Sequence, residues 1–266
     1  MLKSGLDPDP WQMDLLSRYF PRTLVLCSRQ AGKSQTAAAM ALQTALLKPP
    51  ATVLIISRAQ RQSDEVLRKV KGLHHCMHGG QAERSVWTPR HVLELYATEN
   101  NDNATGVDLV SDSQCSMEFA NGSRIISLPG KPDTIVGYSA IALLIIDEAA
   151  RVPDNTYKSL RPMLATSHGQ LVALSTPFGR RGWFYEAWAD CERRSRAGQD
   201  SAWHTVSVTA DQCPRIPPAF LAEEILQLGE RWYRQEYMCS FEDIEGSVFS
   251  GDSIERAFVD TEIWEL

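Results

Sequence analysis

The chain has 266 residues, 43% of them hydrophobic and 23% charged, enough for a full globular core with one appended subdomain. No apolar run approaches the roughly 18 to 20 residues of a membrane-spanning helix, and residues 1–10 lack the basic-then-apolar build of a secretory signal, so a cytoplasmic location is expected. The formal charge of −6 is concentrated at one end: residues 242–266 hold eight acids against Arg256 alone, a balance of −7, and the +1 left for residues 1–241 neither excludes nor supports a nucleic-acid partner.

Residues 7–20, DPDPWQMDLLSRYF, predict a turn and then a short helix with Trp11, Leu15 and Tyr19 at helical spacing. Gln12 sits at its start, and a carboxamide placed ahead of a phosphate loop can donate to and accept from an adenine edge. Residues 23–34, TLVLCSRQAGKS, then read as a strand, a loop and the start of a helix running from about 33 to 47. Successive N–H groups of Ser28, Arg29, Gln30, Ala31 and Gly32, backed by a helix N-terminus, form a concave anion site of phosphate size. Lys33 would lie against the phosphates and the Ser34 hydroxyl would hold magnesium. The usual glycine at the head of such a loop is replaced here by Cys27.

Pro49 and Pro50 break the chain, and residues 52–58, TVLIISR, predict a second buried strand. A basic helix over 59–72 reads as a solvated face in preference to a DNA-facing edge. His74, His75, Cys76 and His78 cluster without a second ligand pair, so a histidine-rich helix end or loop is favoured over a zinc site. The six cysteines form no C-x-x-C pair and read as reduced thiols. Residues 116–128 predict a hairpin turning at Ala120, Asn121 and Gly122, followed by a loop over 129–139.

The apolar run 141–146 is that of a central parallel strand covered on both faces, and it ends in Asp147 and Glu148. Adjacent carboxylates at a strand end divide two tasks: the first holds a metal, and the second orients and deprotonates a water attacking the γ-phosphate. A third strand, 171–174, ends in Ser175, Thr176 and Pro177, hydroxyls placed to sense that phosphate. Three such strand ends on one crest specify a nucleotide site. Residues 179–196 carry five bases among aromatics, read as core more than as a nucleic-acid surface. A strand at 204–210 and two helices within 211–241, divided near Gly229, complete the pattern.

Gln12, the loop SRQAGKS, LLIIDEAA and LSTPFGRRGWFYEAW together resemble the ATPase domain of the large terminase subunit of tailed bacteriophages, over nearly the whole chain. The resemblance implies Gln12 as adenine reader, Lys33 and Ser34 on phosphate and magnesium, Asp147 on the metal and Glu148 as catalytic base. It further implies Arg29 as sensor or stabiliser of the γ-phosphate, and Ser175 and Thr176 as the coupling motif. Implied cofactors are ATP and Mg2+. Implied partners are double-stranded DNA, a portal protein and a small terminase subunit, with a pentameric homo-oligomeric ring on the portal, compatible with a monomer in isolation.

Where relatives often carry an arginine, this chain has Val136 before Gly137, so a finger reaching a neighbouring subunit is not assigned there; Arg124 and Arg151 are substitutes by position alone. The expected architecture is α/β: a RecA-like (ASCE) P-loop ATPase core over 1–210 with a central, mostly parallel sheet, a helical lid over 211–245, and an acidic linker over 246–266 toward an absent nuclease. ATP hydrolysis driving DNA into a procapsid, in the host cytoplasm and without nuclease activity, is the expected function. A helicase-like remodelling ATPase is the rival, disfavoured because the residues after Pro177 are too few for a second RecA-like domain.

Overall fold

The structure is a computed structural model and describes residues 8–77, 108–131, 135 and 137–243. Eight strands form one sheet: β1 (Arg22–Cys27), β2 (Thr52–Ser57), β3 (Leu109–Asp112), β4 (Ser116–Phe119), β5 (Arg124–Pro129), β6 (Ile141–Asp147), β7 (Gln170–Ser175) and β8 (His204–Val208). Their order is β3-β4-β5-β2-β6-β7-β1-β8, parallel from β5 through β8, with β4 and β3 added antiparallel at one edge. The helices are α1 (Pro10–Ser17), α2 (Lys33–Leu47), α3 (Gln60–Met77), α4 (Asp154–Leu160), α5 (Gly182–Arg196), α6 (Pro218–Leu228) and α7 (Glu230–Tyr237).

The central strands are apolar at nearly every position because both faces are covered, and successive side chains alternate between two cores. Val25, Val53, Leu143, Ile145 and Val172 point into one core with α1, α2 and α3. Leu24, Leu54, Leu144, Ile146 and Leu171 point into the other, against Leu160 of α4 and Trp183, Phe184 and Trp188 of α5. Each such fully buried side chain contributes about 1.5–3 kcal/mol relative to exposure, and this burial fixes the register of the crest. The aromatics of α5 are therefore core residues, as their spacing suggests, while its last-turn arginines pair with Asp190 and Glu192 at the surface.

Helix α2 lies between the sheet and its neighbours α1 and α3, and its run of small residues follows from that position. Ala37, Ala38, Ala39, Ala41 and Ala45 are fully buried, so the helix backbone approaches the strands closely. The hairpin predicted at 116–128 is β4–β5, its turn held by Asn121 Oδ1 accepting from Ser123 N. β3 has no counterpart in the sequence reading. Tyr19, expected on the first helix, lies beyond its end: Arg18 is already extended, and the exposed Tyr19 hydroxyl donates to His168 O. Helix α3 runs five residues past its predicted end at 72, because Leu73, His74 and Cys76 continue its buried stripe. His74 packs edge-on to Phe119, and His78 lies outside the described residues. All six cysteines are free thiols. Among the described residues no helix is long and apolar enough to cross a membrane.

The two C-terminal helices, α6 and α7, seat Leu221 and Tyr237 in the same core as β1 and α2, so they cover the edge of the sheet beside β8. Their outer face leaves Leu226 and Trp232 exposed.

Candidate active site

Parallel pairing sets the ends of β1, β6 and β7 side by side: Asp147 aligns with Leu174, and Ser175 aligns with Leu26. The loop leaving β1 passes through two left-handed residues, Gln30 (φ 61°) and Gly32 (φ 94°), before α2 begins at Lys33. Gly32 is required there twice over. An added Cβ would occupy an unfavourable φ and would sit 2.7 Å from the Gln12 amide nitrogen. Cys27, which stands where a glycine is usual, is the last residue of β1, aligned with Val208 and fully buried; burial pushes its thiol pKa up. Ser28 and Ala31 are buried, and Ser28 N donates to Val208 O. The Lys33 ammonium is held beneath the loop by the carbonyls of Ser28 (2.9 Å) and Cys27 (3.4 Å).

Ser34 Oγ lies 3.3 Å from Asp147 Oδ2, across the 113 residues that separate them in sequence. Asp147 is buried, and its other oxygen has no hydrogen-bond partner. Burial first, and the neighbouring Glu148 second, push the Asp147 carboxyl from 3.8 to about 6, against the lowering effect of Lys33. A hydroxyl beside a carboxylate whose second oxygen, Oδ1, is left without a partner offers hard oxygen donors of the kind magnesium takes. The two residues thus fit the ion that the sequence implies.

Glu148, just past the end of β6, takes a left-handed conformation (φ 52°). Its Oε2 accepts from Arg151 Nη1 at 2.8 Å, and the same nitrogen donates to Thr176 Oγ1 at 2.9 Å. The guanidinium also lies over the Phe178 ring at 4.7 Å. Ser175, one residue earlier, is fully buried and accepts the Ala150 N–H. Arg151 therefore ties the second acid to the hydroxyl motif within one chain. Arg124, the other arginine singled out by position, lies at the opposite end of the sheet, at the start of β5, bonded to Thr52.

These groups line a cleft of about 440 Å3 bounded by Arg29, Gln30, Gly32, Lys33, Ser34, Gln62, Lys69, Glu148, Arg151 and Thr176. Four cationic side chains against one carboxylate in the lining make it a receptor for a polyanion. The N-terminus of the 15-residue α2 adds its partial positive charge.

Several residues of the site were invisible to sequence reasoning. Glu236 of α7 is buried, yet its carboxylate receives Arg29 Nε at 2.6 Å and lies 3.6 Å from Arg151, while its backbone oxygen accepts Arg29 N. The last helix, α7, thus holds the loop that follows β1 directly. Arg215 makes a bidentate pair with Asp9 (2.8 and 2.5 Å) and also donates to Ala31 O, clamping the first helix, the loop and the chain before α6. Gln12, expected to read adenine, is buried under the loop. Its Oε1 accepts from Asp9 N and its Nε2 donates to Thr36 Oγ1. Neither the Glu236 nor the Arg215 contact carries a local signal, since the partners lie about two hundred residues apart in the chain.

The fold matches solved structures of packaging proteins. The large terminase ATPase domain of Thermus phage P74-26 superposes with a TM-score of 0.67 at 19% identity, covering 88% of this chain and 94% of that one. The large terminase of a thermophilic bacteriophage gives 0.62 at 12% identity, covering 92% of this chain and 57% of that one. At such identities these likenesses establish the fold. A search of curated proteins finds no match. The sequence model for the terminase large subunit, T4likevirus-type, N-terminal, matches residues 24–256, and the chain therefore belongs to the large terminase family through its N-terminal ATPase region.

Proposed function

We infer that this chain hydrolyses ATP and that the hydrolysis drives double-stranded DNA into a phage procapsid. The observation that carries the reading is the meeting of Ser34 and Asp147 at 3.3 Å, with Glu148 adjacent, over one cationic cleft. Support comes from the family, and from the large terminase of the thermophilic bacteriophage, which has been solved with ADP and with ATP-γ-S.

In this reading the N–H groups of residues 28–32 and the Lys33 ammonium bind the β- and γ-phosphates, for which Lys33 would exchange its two loop carbonyls. Ser34 and Asp147 would hold magnesium, which neutralises charge developing on the transferred phosphoryl group. Glu148 orients the attacking water in line with the leaving oxygen and takes its proton. Arg29, at the cleft mouth, offers its guanidinium to the γ-phosphate in exchange for Glu236. Gln12 braces the loop from beneath, a role we assign to it in place of direct adenine reading.

Arg151 gives coupling a physical form. It bonds Glu148, which addresses the γ-phosphate, and Thr176, which leads into the 177–181 loop, and it approaches Glu236 of the lid helices α6 and α7. Loss of the γ-phosphate alters the charge Arg151 sees and is felt at all three. Residues 1–210 form the motor core in this reading. The DNA, the portal and the small subunit are its partners, and a pentameric ring on the portal is the working assembly.

The decisive experiment is Glu148→Ala. Binding of an ATP analogue stays at the wild-type level, while phosphate release and packaging into purified procapsids are lost. Wild-type turnover in that variant would refute the assignment.

A further inference from the structure

One cation in the cleft, Lys69, comes from neither the phosphate loop nor the crest of the sheet. It is borne by α3, whose buried stripe is Ser63, Val66, Leu67, Val70 and Leu73. Lys69 stands on the flank of that stripe, seven residues after Gln62, so the two side chains share the edge of the helix that faces the cleft. Two neighbouring bases of α3 have partners: Arg68 pairs with Glu65, and Lys71 with Asp112 and the Ser113 carbonyl. Among the described residues Lys69 has no hydrogen bond or ion pair.

We propose that Lys69 binds the terminal phosphate of ATP and makes the site prefer ATP to ADP. The proposal rests on the ATPase reading and adds to it a ligand from outside the phosphate loop. The position along the triphosphate follows from the neighbours. The loop amides and the N-terminus of α2 approach the β- and γ-phosphates from the β1 side of the cleft. Lys69 instead lines the cleft together with Glu148, assigned to the γ-phosphate, and with Ser34 of the proposed metal pair. Its burial is costly for a lone ammonium, and Lys33 and Arg68 add repulsion, whereas Asp147 and Glu65 favour the charge. An arriving phosphate dianion supplies the missing counter-charge.

The test compares the full chain with Lys69→Met, which keeps the apolar stem, and Lys69→Arg, which keeps the charge. Isothermal titration with magnesium AMP-PNP and with magnesium ADP reads the preference. Lys69→Met weakens AMP-PNP by about tenfold or more and ADP by less than about twofold, the loss expected for one charge-assisted contact. Lys69→Arg keeps most of the discrimination, and Lys71→Met, away from the cleft, changes neither affinity. An unshifted thermal midpoint without nucleotide shows that each fold is intact; should Met disturb it, Lys69→Gln carries the comparison. Equal loss for both nucleotides, or no loss, overturns the proposal while leaving the ATP site standing. A wild-type chain that binds neither nucleotide overturns both.

Discussion

Asp147→Asn should stabilise the protein at neutral pH while abolishing turnover. Asp147 is buried with one oxygen unpartnered, and its carboxyl is raised from 3.8 to about 6 by burial and by Glu148. A carboxyl raised on folding favours the native state in its protonated form. That contribution is complete below about pH 4 and is lost as pH rises through 6, so above pH 6 the folded chain bears the cost of a buried charge. At about 1.4 kcal/mol per unit, the rise from 3.8 to about 6 sets a ceiling near 3 kcal/mol. For a chain of this size that raises the unfolding midpoint by up to about 5 °C. The assay is thermal unfolding of both proteins in EDTA between pH 4 and pH 8. The variant gains most at pH 8 and its advantage fades toward pH 4. Magnesium with an ATP analogue then reverses the ranking at pH 8, because only the wild type gains from binding the ion. A variant less stable than wild type at pH 8 in EDTA, or a difference that does not change with pH, would refute the account of Asp147 as a site that gives up stability to hold a metal.

Arg151→Ala removes the bond to Thr176 and the pair with Glu148, and it lowers kcat of the isolated chain by about tenfold or more with a smaller change in KM. Mixing it with Glu148→Ala chains restores nothing, because Arg151 faces its own cleft; restored phosphate release would reassign Arg151 to a neighbour's site. Gly32→Ala costs about 1–2 kcal/mol for its positive φ alone and also pushes into Gln12. Its midpoint falls by a few degrees and its affinity for ATP drops; unchanged nucleotide affinity would show that the loop tolerates a different path.

Much of the fold was legible because its signals are local. The runs VLII at 53–56 and ALLII at 142–146 are apolar without alternation, which a strand shows only when both faces are covered, and both form central parallel strands. The helix at 33–47 has its predicted bounds, and the aromatics of α5 lie in the core. The short β3 was missed because its burial pattern is mostly exposed and carries no alternation to read. Tyr19 was placed on the first helix by spacing alone, whereas Arg18 already leaves the helix in extended backbone.

At the site, the sequence by itself determined which residue types stand at the ends of β1, β6 and β7, since each end is written next to its own apolar strand. Ser28 to Ser34, Asp147 with Glu148, and Ser175 with Thr176 are short contiguous words of this kind, and parallel pairing then forces them onto one crest. Only the tertiary structure decided what surrounds them. Glu236 reaching Arg29 and Arg215 clamping Asp9 to the loop are pairings across long stretches of chain, and Gln12 beneath Gly32, Arg151 bonded to Thr176 and Lys69 on α3 reach the cleft from separate elements. Such pairs follow from how helices settle on the two faces of the sheet. That packing is a property of the whole core and leaves no mark in the neighbouring residues.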